Sequence, residues 1–307
     1  MARVAAIDCG TNSIRLLIAD ISDGNFREVL REMEIVRLGQ GVDATGQFDP
    51  EAVTRTLDAT KKYAQLIQSK GVEKIRFCAT SATRDASNRE IFIEGVKDIL
   101  GIEPEVIPGS EEAALSFLGA TKELKHAETP YLVVDIGGGS TEFVLGNEEV
   151  KYAKSVNIGC VRMAERHLKV QPPKPLDVQN AIADIDQAIF EASHIVPLKE
   201  AKTVIAVAGT ATTVAAAALN LDSYDRYAIH LSRISAQKVL EVAQRFQLMT
   251  RDQLAALPYM QPGRADVTAA GALVLSRVMI ATGVDEFVAS ESDILDGMAW
   301  SLSQSIN

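Results

Sequence analysis

Apolar positions along this chain come in two spacings, and the switch between them predicts the elements. Short continuous runs such as Val4-Ala5-Ala6-Ile7 and Leu16-Leu17-Ile18-Ala19 have strand length and are bounded by glycine or polar turn residues. They predict strands near 3–9, 13–21 and 27–38. Asp49-Pro50-Glu51 then supplies an N-cap and a proline at the first helical position, and the helix runs to about Lys70-Gly71. A strand is expected at 74–79, a helix from Asn88 to Leu100 closed by Gly101, a strand at 103–107 and a helix opening at Ser110-Glu111-Glu112-Ala113. The second half repeats this order. Strands are expected near 130–135, 140–146 and 149–157, and helices near 159–168 and 177–195, the latter capped by Asp177 after the loop Pro172-Pro173-Lys174-Pro175. The strand 203–207 leads into a helix from about Thr210. Helices near 235–247 and 263–282, a strand at 286–290 and a final helix near 293–304 complete the chain. Three strands followed by alternating helix and strand, twice over, predict two α/β lobes, 1–125 and 126–307, meeting in the polar stretch 122–130.

The repetition extends to a short motif. Ile7-Asp8-Cys9-Gly10-Thr11-Asn12-Ser13 recurs as Val134-Asp135-Ile136-Gly137-Gly138-Gly139-Ser140, each copy lying between two apolar runs. An acid at a strand end followed by a turn of small residues suits a phosphate and its metal. The carboxylate can hold Mg2+, and glycine lets backbone N–H groups approach phosphate oxygens with no Cβ in the way. Two such loops suggest two lobes gripping one phosphorylated ligand.

Composition narrows the classes. The 307 residues are 47% hydrophobic and 23% charged, as in a soluble globular protein. No stretch reads as a run of about 20 apolar residues, and the chain enters a strand at once, so neither a membrane span nor a signal peptide is expected. Cys9, Cys78 and Cys160 are widely spaced in apolar or glycine contexts, which predicts three buried thiols and a cytoplasmic setting. A net charge of −10 argues against nucleic acid as a partner. It also requires that arginine and lysine be concentrated wherever a polyanion binds.

Longer segments carry a resemblance. Ala79-Thr80-Ser81-Ala82-Thr83-Arg84-Asp85, Pro108-Gly109-Ser110-Glu111-Glu112-Ala113, Asp135-Ile136-Gly137-Gly138-Gly139-Ser140-Thr141-Glu142, Asn157-Ile158-Gly159-Cys160-Val161-Arg162, Ala208-Gly209-Thr210-Ala211-Thr212-Thr213 and Pro262-Gly263-Arg264-Ala265-Asp266 occur in that order. Together they resemble the exopolyphosphatase and guanosine pentaphosphate phosphatase family. The resemblance implies two ribonuclease-H-like domains of the actin-like ATPase and sugar-kinase superfamily around a central phosphate cleft. It also implies that the final helix packs back on the first lobe. The implied reaction is Mg2+-dependent hydrolysis of the terminal phosphoanhydride of inorganic polyphosphate or guanosine pentaphosphate, a link to the stringent response, by a homodimer. The chain contains no His-Asp dipeptide and looks like the short, two-domain form. Two other readings stay open: an ATP-dependent kinase or ATPase of the same superfamily, and a non-catalytic sensor of guanosine penta- or tetraphosphate.

The candidate residues follow. Glu112, the second acid of Glu-Glu-Ala, matches the family's catalytic glutamate and is expected to activate water. Asp135 and Glu142 are candidate catalytic and metal-binding carboxylates, with Asp8 the repeat partner of Asp135 at the metal. Strand alternation puts Ser140 and Glu142 on one side of the hairpin and Thr141 and Phe143 on the other. Thr11, Asn12, Ser13, Gly137, Gly138, Gly139, Ser140, Gly209 and Thr210 are expected to cradle phosphate. Arg84 and Arg264 are expected to clamp it, since planar guanidinium matches phosphate bidentately. Arg15 holds the repeat position of Glu142 and is expected to face the cleft as well. His126, His167, His194 and His230 show no ligand spacing.

Overall fold

The computed structural model describes residues 2–22, 25–124 and 127–304. The chain forms two compact units, one of Met1–Gly119 with Ile294–Asn307 and one of Ala120–Asp293. The expected lobe junction at 125/126, and His126 with it, lies outside the described residues.

The first unit runs β1 (Ala2–Cys9), β2 (Ser13–Ser22), β3 (Asn25–Ile35), α1 (Val42–Thr45), α2 (Pro50–Ser69), β4 (Lys74–Ala79), α3 (Ser81–Asp85), α4 (Glu90–Leu100), β5 (Glu105–Val106) and α5 (Gly109–Thr121). Its sheet has the order β3-β2-β1-β4-β5, antiparallel through the first three strands and parallel from β1 to β5. The even and odd residues of β1 and β2 feed two separate cores. Ala5, Ile7, Ile14, Leu16 and Ile18 pack under α2 and α4 with Tyr63, Phe77 and Phe92. Val4, Ala6, Leu17 and Ala19 pack on the other face with Leu115 of α5 and with Ile294, Leu295, Met298 and Ala299 of the chain's last helix. A sheet covered on both faces needs apolar residues at every position, hence the continuous runs in place of alternation.

The second unit runs β6 (Tyr131–Ile136), β7 (Thr141–Gly146), β8 (Val150–Val156), α6 (Cys160–Arg166), α7 (Pro175–Ser193), β9 (Thr203–Val207), α8 (Ala208–Ala218), α9 (Arg226–Ile229), β10 (Arg233–Ser235), α10 (Ala236–Gln247), α11 (Arg251–Ala255), α12 (Ala265–Thr282) and β11 (Glu286–Ala289). The last helix, α13 (Ile294–Gln304), belongs to the first unit. The second sheet has the order β10-β11-β9-β6-β7-β8. Read from β8, it repeats the first sheet strand for strand and adds β10 as an antiparallel edge.

Several expectations are corrected. Asp177 does not cap α7: Lys174 is the N-cap, Pro175 takes the first helical position that its fixed φ suits, and Asp177 lies in the first turn. β3 stops at Ile35 because the amides of Val36 and Arg37 turn to the carbonyl of Asn12. Asn88 stays outside α4, its amide holding both backbone groups of Phe48. The 18 residues of α12 are apolar enough in composition to cross a membrane. Most of that helix is buried within the second unit, and a helix enclosed by protein is apolar all round for that reason.

Candidate active site

Each unit carries one copy of the acid–glycine turn, held in the same way. In the first, the Gly10 amide donates to the Ser13 carbonyl at 3.0 Å, and in the second the Gly137 amide donates to the Ser140 carbonyl at 3.0 Å. The segment after the third strand then ties each loop down from behind. Val36, Arg37 and Gly39 donate to the carbonyls of Asn12 and Thr11, while Cys160, Val161 and Arg162 donate to those of Gly137 and Gly138. The Nε of Arg162 also holds the Gly139 carbonyl at 2.6 Å. With the carbonyls engaged on one side, the amides of Gly138 and Gly139 donate to no protein group among the described residues. That is the form of a backbone anion cradle. In the first loop the Thr11 hydroxyl is buried and has no partner among the described residues.

The two loops differ in what stands beside the acid. In the first unit Asp8 is the register partner of Arg15, whose Nε and Nη2 both donate to Asp8 Oδ2, at 3.0 and 2.7 Å. In the second, Asp135 is the register partner of Glu142. Directly opposed residues of an antiparallel pair share a face, so two carboxylates stand together where the repeat has an ion pair. Both are buried, Glu142 at 1% exposure, and Ser155 on β8 donates to Glu142 Oε1 at 2.7 Å. Like charges opposed in a sheet are destabilising. Phe143 turns into the opposite core and the Thr141 hydroxyl donates to the Ile158 carbonyl, in keeping with the expected alternation.

Glu111 and Glu112, adjacent in the first turn of α5, have separate fates. Glu111 is partly exposed and accepts from Arg76 Nη2 at 2.6 Å, in a cluster with Glu105. Glu112 is buried, and its Oε2 accepts from Arg84 Nη1 at 2.6 Å. That same nitrogen donates to the Ile107 carbonyl at 2.9 Å. Among the described residues every hydrogen bond of the Arg84 guanidinium comes from one nitrogen, leaving Nε and Nη2 for another anion. Burial pushes the Glu112 carboxyl above the ordinary carboxylate range; Arg84 and Thr80 oppose the shift and the charge of Asp8 adds to it.

In the second unit the starts of three helices, α6, α8 and α12, lie together through Cys160, Thr210 and Arg264. Cys160 opens α6 and donates its amide to Gly137. Thr210, in the first turn of α8, lies beside Cys160, and both press on Gly271 of α12, where a Cβ would have no room. Arg264, the N-cap of α12, lays its guanidinium on Gly209, which likewise leaves no space for a Cβ. Ala208 before it holds φ at 64°, a left-handed conformation uncommon outside glycine. Aligned helix N-termini favour anions. The second unit therefore brings together Asp135, Glu142, Gly137–Ser140, Gly209, Thr210 and Arg264. The first brings together Asp8, Arg15, Arg84 and Glu112.

Sequence reading missed Ser155, Arg162 and Thr80. Each is a partner of a candidate residue through another element, and Thr80 and Arg162, both inside family-like segments, carried a signal that Ser155 did not. All three cysteines are buried and unbridged. Among the described residues no group of three or more His, Cys, Asp or Glu forms a metal cage. Mg2+ does not need one, since it keeps several waters and takes one or two carboxylates together with substrate phosphates. The opposed Asp135 and Glu142 fit that mode, whereas at Asp8 the guanidinium of Arg15 already supplies the positive charge.

The chain is 49% identical to exopolyphosphatase 2 of Mycobacterium tuberculosis over 99% of each protein. It is 36% identical to the guanosine-5'-triphosphate,3'-diphosphate pyrophosphatase of Photobacterium profundum, over 60% of this chain and 36% of that one. A crystal structure of an exopolyphosphatase-like protein, 44% identical, superposes with a TM-score of 0.96 over the whole of both chains. Residues 17–305 match the Ppx/GppA phosphatase family, and with its ribonuclease-H-like, actin-like ATPase fold the chain belongs to that family.

Proposed function

We propose that this protein is a Mg2+-dependent phosphoanhydride hydrolase that removes the terminal phosphate of inorganic polyphosphate, with guanosine pentaphosphate as a second substrate presenting the same terminal bond. The observation that carries the reading is the buried Asp135–Glu142 pair beside an anion cradle. A protein that only bound phosphate would have no use for two carboxylates at that point, and would lose affinity by them. This argues against the sensor.

In this reading the amides of Gly138 and Gly139, the first turn of α8 and Arg264 bind phosphate oxygens. Asp135 and Glu142 would hold Mg2+, with Ser155 fixing the Glu142 carboxylate. The metal, when bound, neutralises phosphate charge and lowers the repulsion that a nucleophile meets. Glu112 accepts the proton of the attacking water, a task for which its raised pKa suits it. Arg84 orients Glu112 through Nη1 and offers its remaining N–H groups to the leaving or transferred phosphate.

The test is phosphate release from short and long polyphosphate, guanosine pentaphosphate, ATP with a sugar acceptor, and p-nitrophenyl phosphate, each with Mg2+ and with EDTA. Release from polyphosphate that needs Mg2+ and greatly exceeds release from the monoester is expected. Comparable monoester turnover, undiminished activity in EDTA, or sugar-dependent ATP consumption would overturn the proposal.

A further inference from the structure

The second unit contains a hydrogen-bonded chain that none of the assigned roles uses. The Tyr224 hydroxyl lies 2.6 Å from Glu291 Oε1 and 2.9 Å from Thr212 Oγ1. A phenol has one proton. The shorter contact, to a carboxylate, takes it, so the Thr212 hydroxyl donates to Tyr224. Thr212 Oγ1 also lies 3.4 Å from the Gly209 carbonyl, which Thr213 Oγ1 engages at 2.6 Å. By claiming the Thr212 proton, Tyr224 leaves the Gly209 carbonyl to Thr213 alone. Glu291 is itself pinned, since its amide donates to His230 Nδ1 at 3.2 Å. The other ring nitrogen of His230 then carries the proton and donates to Glu123 Oε2 at 2.8 Å. The far side of Gly209 is covered by the Arg264 guanidinium.

We propose that Tyr224 is a positioning residue for the phosphate-binding arm. Its hydroxyl ties Glu291 to Thr212, about one turn along α8 from Gly209, and so fixes the end of α8 that carries the Gly209–Thr210 turn and the Arg264 guanidinium resting on it. Burial and the charge of Glu291 push the phenol upward, and Thr212 and Arg264 only partly offset this, so the hydroxyl keeps its proton at neutral pH. The Arg264 charge is thus close enough to act on Tyr224 itself. The proposal rests on the assignment of Arg264 as a phosphate clamp.

Steady-state kinetics on short-chain polyphosphate with Tyr224→Phe, Arg264→Ala and the double variant test it. Tyr224→Phe keeps the ring and removes only the hydroxyl. It is expected to raise KM about three- to tenfold, the worth of one hydrogen bond, with kcat within about twofold of native. In the Arg264→Ala background it is expected to add nothing, because the arm it orients has lost its guanidinium. A native KM for Tyr224→Phe alongside a raised KM for Arg264→Ala overturns the positioning role and leaves the clamp standing. Equal effects of Tyr224→Phe in both backgrounds, or a lowered melting temperature with native KM, also overturn it, as the role is then structural. A native KM for Arg264→Ala sinks the clamp assignment, and the Tyr224 proposal with it.

Discussion

Glu111 and Glu112 are chemically identical neighbours in one helical turn, yet a rotation of about 100° per residue sends them to different surroundings. Glu111 meets Arg76 near solvent, while Glu112 is buried against Arg84, Thr80 and Asp8. Their substitutions are expected to part accordingly. Glu112→Gln keeps shape and removes the carboxylate proposed as the base, so kcat on polyphosphate should fall about 10²–10⁴-fold with KM little changed. Glu111→Gln breaks a partly exposed ion pair whose arginine retains Glu105, and should cost at most about 1 kcal/mol of stability with native kcat. Turnover assays and urea titrations of the two purified variants check this. A Glu112→Gln enzyme with near-native kcat at saturating substrate ends its assignment as the base. The family-like Glu-Glu-Ala segment was legible as chemistry, but which acid is buried depends on how α5 lies against β1 and α3.

At the scale of elements, strand register decides which charges meet. Arg3 on β1, Asp20 on β2 and Arg27 on β3 are successive register partners, and both arginines donate to the Asp20 carboxylate, at 2.7–3.0 Å from Arg3 and 2.5 Å from Arg27. These hydrogen bonds hold the Asp20 pKa down to about 2, from an ordinary 3.8. A depressed carboxylate stabilises the folded state above its unfolded pKa and loses that contribution as pH falls through the folded value. The melting-temperature difference between wild type and Asp20→Asn should therefore be full at about pH 5 and shrink steadily toward about pH 2. A difference independent of pH over that window would show that the three strands are not clamped by this charge. The strands were readable from apolar runs. The triad was not, because its members are 7 and 17 positions apart and only the hairpin turns align them.

At the scale of the molecule, one sheet plan is used twice with one exchange: Arg15 faces Asp8 where Glu142 faces Asp135. The first pair is self-neutralising. The second sets two buried carboxylates directly opposite each other, and like charges so placed are destabilising. Glu142→Gln is expected to raise the metal-free unfolding free energy by about 1 kcal/mol while abolishing phosphate release, since its amide oxygen still accepts from Ser155 and the repulsion is gone. Calorimetric melting in EDTA, set beside activity in Mg2+, reads both. A variant less stable than wild type in EDTA would mean that the Asp135–Glu142 opposition stores no strain.

The order of the elements, the duplicated turn and the family-like segments were all determined by the sequence itself, because they are local. Apolar spacing, an Asp-Pro helix start and glycine turns act within a few residues. Even so, local rules misplaced the N-cap of α7 and carried β3 three residues too far, where Asn12 captures the departing amides. Tertiary structure alone decided which partners each candidate residue has. It gave Arg15 to Asp8, Ser155 to Glu142, Arg84 to Glu112 and Tyr224 to Glu291, and it laid Arg264 on Gly209. Those pairings join different elements, most of them distant in sequence, so they depend on sheet register and on the packing of helix ends, which no local pattern encodes.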